Sequence, residues 1–267
     1  EKELEKNKKE VETPEWDILE SEKNELVPSV WAFIYSQEGN IIKKVEAKNE
    51  SGFNRVNWDL TSESKNIITE DNFENSVSGN LIAPDEYFAQ MFKQIEGKYI
   101  AISNKVKFDV IPLKKGALEG SSYDIVVSHW NKVSKLRSEI YYLSKQIKDL
   151  KNKSSITLKA YQRAELVDEK VNMEILSLRK KILELELNVN GSSIRSKVGE
   201  QNDFLRMRDY IWAASSYSTY GPTKQHKESL QNAYTLYNKF NKEYNSLKQQ
   251  IEPIHNSLNK INAPEIK

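Results

Sequence analysis

Three histidines, His129, His226 and His255, are the only imidazoles in the 267 residues, and no two stand four apart in the His-x-x-x-His spacing that clips a metal to one helix face. Isolated on otherwise helical stretches, they are expected at surfaces or helix edges. Cysteine is absent, which excludes a thiol nucleophile, a disulfide framework and cysteine-ligated zinc. The nine glycines form no Gly-x-x-x-x-Gly-Lys loop, no Gly-x-Gly-x-x-Gly turn and no Gly-x-Ser-x-Gly elbow. Glycoside hydrolysis would need two carboxyl groups across a cleft, and Asp59 with the pair Asp85-Glu86 are the candidates. All three fall at strand or turn positions, where Asp59 is expected to bond backbone at a strand end and the other two to shape a turn. The spacing assigns no catalytic, cofactor or metal residue, so the chain is read as a non-enzyme.

Aromatic side chains give the other route to chemistry. Trp16, Trp31, Trp58, Trp130 and Trp212 could stack on sugars, but core or interdomain packing is the expected use, since Trp58 and Trp130 fall on apolar stripes. The one dense polar-aromatic cluster lies between Phe204 and Thr223. Its residues Arg206, Arg208, Tyr210, Trp212, Tyr217 and Tyr220 are of the types that dominate binding surfaces, so they are the candidate partner or ligand groove; Asp209 among them allows ion pairing between helices instead.

Two kinds of element must position these residues. Val30, Ala32 and Ile34 alternate with Trp31, Phe33 and Tyr35, Gly39-Asn40 supplies a turn, and Ile41 to Val45 begins a second strand of a hairpin. Phe53 to Leu60 reads as a third strand, residues 61–80 as a long mobile loop, Pro84 to Phe92 as a further strand, Glu96-Gly97-Lys98 as a tight turn and Tyr99 to Val110 as the last strand or two. The sum is an immunoglobulin-like β-sandwich of about seven short strands over 26–113. Before it, 1–25 is a tail or linker, and after it 114–121 is a linker.

From 122 to 267 the period is helical. Val126 to Leu150 and Val171 to Val189 step by three and four, predicting two long helices joined around Asn152-Lys153-Ser154-Ser155. Gly191 signals a helix end, and a shorter helix is expected through Phe204, Leu205 and Ile211. After Gly221-Pro222-Thr223 restarts the chain, Leu230 to Ile261 forms the longest apolar stripe, coiled-coil-like in spacing, with a kink expected at the solvent-facing Pro253. The fold class is therefore α+β and multidomain, a sandwich followed by a single-chain antiparallel helical bundle, with dimerisation through the last helix as an alternative.

Composition fits that division. Charged residues make up 30% and mean hydropathy is −0.70, as long exposed helices produce. The net charge of +1 hides ten acids against five bases in 1–25, thirteen against eleven in 26–121 and sixteen against twenty-four in 122–267. Those bases are dispersed, so a solvated helical surface is expected and not a nucleic-acid site. No leader and no apolar run of about 18 residues occurs, so no membrane span is expected, and the chain reads as a piece of a longer protein.

Gly52-Phe53-Asn54-Arg55-Val56-Asn57-Trp58-Asp59-Leu60, Ala83-Pro84-Asp85-Glu86-Tyr87, Gly39-Asn40 and Gly221-Pro222-Thr223 together resemble the C-terminal region of large secreted bacterial proteins named as glycosyl hydrolases with BNR (Asp-box) repeats, or as sortilin-like propeller proteins. In that family a β-propeller precedes an immunoglobulin-like domain, similar to that of flagellar hook-capping proteins, and a helical segment. Asp85 stands where the family has glycine, and no Ser-x-Asp-x-Gly-x-Thr Asp-box occurs. The resemblance implies a non-catalytic structural and protein-interaction module of an exported bacterial protein, periplasmic, outer-membrane-associated or secreted. Its implied partners are the upstream propeller and envelope proteins or glycans. The alternatives are a carbohydrate-binding accessory module or a part of a surface or secretion assembly, the latter favoured by an exposed apolar stripe on the last helix.

Overall fold

The computed structural model describes residues 15–70, 72–73, 78–113, 119–200 and 206–266. The expected tail 1–13, the linker residues Lys114-Lys115-Gly116 and the helix start at Phe204 and Leu205 lie outside the described residues. The architecture is mixed α+β with antiparallel sheet, and the chain divides into two compact units. One takes in the described residues to 63 together with 84–113; the other takes in 64–83 and everything from 114 onward.

The first unit holds helix α1 (Trp16–Asn24) and strands β1 (Ser29–Tyr35), β2 (Ile41–Ala47), β3 (Thr61–Glu63), β5 (Glu86–Ile95), β6 (Lys98–Ala101) and β7 (Val106–Asp109), while β4 (Ser78–Leu81) belongs to the second. The β1–β2 hairpin turns at Gly39, where φ is 83° and the amide bonds the Ser36 carbonyl. Strand β5 pairs β1 along one edge and both β6 and β7 along the other. Residues 102–105 oppose only 90–91, so β6 and β7 amount to one strand with a two-residue bulge. The bulge is satisfied by Ile102 N–H bonding the Met91 carbonyl and by Met91 N–H bonding Ser103 Oγ.

Alternation puts Trp31, Phe33 and Tyr35 on one face with Phe92 and Tyr99. Phe33 lies 4.4 Å from Phe92 and 5.0 Å from Tyr99, centroid to centroid, and the Lys44 ammonium caps both Phe33 and Tyr99 at 5.0 Å. On the opposite face Trp58 packs edge-on against Tyr87 and Phe108.

The segment carrying Trp58 is not the strand its alternation predicts. Residues 53–59 have no ladder; Gly52 and Leu60 both have positive φ, 101° and 57°, and Phe53 is exposed. Side chains replace the ladder: Asn54 Nδ2 donates to the Glu50 carbonyl, Trp58 Nε1 to the Thr61 carbonyl, and Asp59 Oδ1 accepts from Thr61 N and Oγ1. Regular strand begins only after Asp59, and β3 reaches β2 through side chains, with Lys44 N–H bonding Glu63 Oε1 and Lys43 Nζ bonding the Ser62 carbonyl. The expected loop 61–80 thus contains two strands, β3 and β4, in its described part.

The second unit contains α2 (Tyr123–Gln162), α3 (Glu169–Asn190), α4 (Ser193–Lys197), α5 (Met207–Ala213), α6 (Lys224–Gln249) and α7 (Ile251–Lys260). Helix α2 is 40 residues long, roughly 60 Å at 1.5 Å per residue. It runs straight through Asn152–Ser155, where the sequence predicts a joint. The buried stripe does not stop at Leu150 but continues through Ser154, Thr157 and Ala160, and the Ser154 and Thr157 hydroxyls turn back to bond the Lys151 and Lys153 carbonyls. Small polar residues thus fill the seam without an unpaired donor. The true turn is 163–168, ended by Asp168, whose Oδ1 accepts from Lys170 N and Val171 N at the start of α3.

Helix α3 runs antiparallel to α2, as Ser144 meets Asn190, Lys151 meets Glu186, and Ser155 meets Arg179 in turn. It ends at Gly191, φ 78°, as its sequence predicts. Helices α6 and α7 run parallel to α2, with His129 near His226 and Thr157 bonded to His255. Their stripe from Leu230 to Ile261 is buried as expected, and the break comes at Gln250. Pro253 has no N–H for the Gln249 carbonyl and sits exposed, so the helix is interrupted on its solvent side. Residues of α2, α3, α5, α6 and α7 share one apolar core, with Leu136, Ile182 and Leu185 fully enclosed. Within 64–83, Ile67 and Asn80 bond α2: Ser138 Oγ accepts from Ile67 N, and Asn80 bonds Asn131 and Ser134.

Two outcomes check this core. Lys153→Pro would delete a bond in the middle of α2 and clash with the Asp149 carbonyl, costing about 3 kcal/mol or more in urea unfolding; at a joint the change would be nearly silent. Burial holds the His255 imidazole below its ordinary range, outweighing Glu252, which pulls the other way, while the Lys153 charge adds to the lowering. The unfolded chain therefore binds the proton better, so stability is full above the ordinary histidine range and falls as pH drops through the folded value. Urea midpoints between pH 7.5 and 5 should fall less in His255→Gln than in the native chain.

Candidate functional site

The described residues bring two backbone segments together at the start of the helical unit. Gly120-Ser121-Ser122, entering α2, crosses Tyr220-Gly221-Pro222-Thr223, entering α6, and the Ser121 N–H bonds the Tyr220 carbonyl at 2.8 Å. The approach is close because both glycines lack a Cβ. One built on Gly120 would meet Tyr220 Cα and O at 3.0 Å, and one on Gly221 would meet Ser121 Oγ at 2.5 Å, with φ at 102° besides. Thr223 then caps α6, its Oγ1 accepting from His226 N while the His226 Nδ1 lone pair accepts from Thr223 N.

The clamp fixes the first turns of α2 and α6 side by side and leaves an open groove of about 700 Å³ between them. Ile125, Leu230, Pro222 and Tyr234 give it an apolar floor; Asp124, Lys132, Lys227 and Gln231 give it a polar rim. His129, beside Ser128 in the same lining, would be the obvious general base. Contrary to the expected edge position, it is only 6% exposed, and its Nε2 donates to the Ala214 carbonyl at 2.8 Å. That proton is committed to holding α5 against α2. The groove offers charges and hydrogen-bonding groups for binding.

The other histidines are also explained by structure: His226 caps α6 and His255 bonds Thr157. Against the expectation that no histidine stands in a metal-ligand spacing, Glu252 and His255 form a Glu-x-x-His pair on α7, yet no group of three potential metal ligands occurs among the described residues. Asp59 accepts from the Thr61 backbone, the local role expected of it, and the Asp85 carboxylate accepts from Glu86 N, whereas Glu86, expected to shape the turn with it, begins β5. Glu86 pairs with Lys107 across the sheet.

The six candidate residues of the 204–223 cluster do not form one groove. Arg206 is spent locally, bonding both oxygens of Asp209 and the Asn190 carbonyl at the end of α3. Burial alone would raise the Asp209 carboxyl; the Arg206 side-chain and backbone bonds, with the Arg206 and Arg208 charges, hold it below the usual range. Tyr210 packs on the core, and Tyr220 is the clamp residue. What remains is Arg208 and Trp212, one turn apart on the outer side of α5, and Tyr217 beyond it. Trp212 is 81% exposed and Tyr217 91%, while Met207, Ile211 and Ala214 of the same segment are fully anchored. Arg137 adds a bond to Ser215. Cluster density was visible in sequence; the split was not, because it depends on the partners that Asp209 and the core supply.

Gly221→Ala should lower the stability of the helical unit by at least about 1 kcal/mol, through both the positive φ and the Ser121 collision. Thermal melts followed by helix circular dichroism read the change, and an unaltered melt would mean that the crossing is loose.

No helix among the described residues is long and apolar enough to cross a membrane. No protein-family model, no curated protein and no solved structure matches the chain.

Proposed function

We propose that the chain is a non-catalytic protein-interaction module, the C-terminal part of a larger exported bacterial protein whose upstream region is a β-propeller. In this reading the first unit is an immunoglobulin-like sandwich and the second an antiparallel helical bundle. The Trp58 segment laid over Tyr87 and Phe108 supports the sandwich, as the beginning of a second layer on the sheet. The opposed α2 and α3, with α6 and α7 sharing their core, support the bundle.

The observation that carries the interaction reading is the surface of Arg208, Trp212 and Tyr217. A large indole and a phenol held almost wholly in water by an anchored segment present apolar area that a partner can cover without reordering the backbone. The carbohydrate alternative asks for flat exposed rings on the sheet. There the rings of Trp31, Phe33 and Tyr99 meet edge to face and Lys44 caps two of them, so the arrangement favours packing over a sugar platform.

The test is capture from an envelope fraction of the producing bacterium, with a glycan array probed in parallel. A partner retained by the native chain should bind Trp212→Ala/Tyr217→Ala about 30-fold more weakly, as loss of about 2 kcal/mol implies, with unchanged circular dichroism. Specific glycan binding without protein capture would overturn the reading.

A further inference from the structure

Helix α3 carries two apolar stripes. One, from Val171 to Val189, is buried in the core. The other, Met173, Leu176, Leu183 and Leu187 with Lys180 at its centre, steps by three and four on the outer side, and all five residues are exposed. Leu176, Arg179, Lys180, Leu183, Glu184 and Leu187 line a shallow groove along it. Among the described residues nothing covers this face, which has the heptad spacing of a coiled-coil seam. The last helix, in contrast, has its stripe buried.

We propose that this face is covered by a second copy of the chain, α3 against α3 in an antiparallel, two-fold pair. The charges choose the occupant and the direction. Lys180 lies at the centre of the seam and Glu184 one turn beyond it, both exposed, while Arg179 and Glu186 are turned to α2, where they bond Ser155 and Lys151. Antiparallel pairing sets Leu176 opposite the partner's Leu187 and Lys180 opposite the partner's Leu183, so that the Lys180 ammonium reaches the partner's Glu184. A parallel pair would instead set the two Lys180 ammoniums against each other. Leucines that face one another and a Lys180–Glu184 pair formed twice under a two-fold axis fit a second copy better than an unrelated helix.

Sedimentation equilibrium of the whole chain tests the pairing. A monomer–dimer equilibrium is expected, abolished in Leu176→Glu/Leu183→Glu without loss of helix content. Lys180→Glu should weaken the dimer about tenfold, since it places like charges together twice in the two-fold pair, and Lys180→Glu/Glu184→Lys should restore it. A native chain that stays monomeric to about 1 mM, or a dimer indifferent to the leucine pair, overturns the proposal. So does a dimer that the charge exchange leaves weakened, since only the antiparallel register regains its pairs.

Discussion

The helical unit depends on burial along one side of one helix. From Val126 to Ala160 the inward side of α2 stays out of water, and α3, α5, α6 and α7 each contribute to the core it shares. A helix of this length is not held by propensity but by the apolar face it hides. The seam can run unbroken only because Ser154 and Thr157 satisfy their hydroxyls on the helix's own backbone; an unpaired hydroxyl there would cost more than the burial returns. Thr157 also reaches His255, so the polar part of the seam fixes the position of α7 where apolar packing alone would let it slide.

The opposite end of α2 is fixed by a close backbone crossing together with local side-chain bonds. The crossing of Gly120 and Gly221 and the Thr223–His226 cap act on the starts of α2 and α6, and the His129 bond to Ala214 acts on the end of α5. They give a buried histidine and a left-handed glycine structural roles at this end of the unit. Their product is an anchored α5, and with it a tryptophan and a tyrosine displayed to solvent on a rigid base.

Much of this was legible from residues alone. Period two found β1, β2 and β5; the glycine turns at 39 and 97 set the hairpins; and the stripes of α3, α6 and α7 were read at nearly their observed positions. The misreadings share a physical cause: local side-chain bonds overrode pattern. Asn54, Trp58 and Asp59 bond their own backbone, so an alternating segment is no strand, and Ser154 and Thr157 bond theirs, so a polar stretch is no loop. In the candidate site, types and density were visible, but which residues face water was decided by Asp209 and by Ile211, whose roles exist only in the folded chain. The second stripe of α3 was present in its spacing and was hidden by the stronger one beside it.

Amide hydrogen exchange across α2 is the most direct test of the continuous seam. The structure predicts that the amides of Lys151 to Thr157 are protected to the same degree as those of Ile140 to Leu150, because both stretches open only with the unit as a whole. Fast exchange confined to Asn152–Ser155, with protection on either side, would mean two helices and a joint, and would contradict the account.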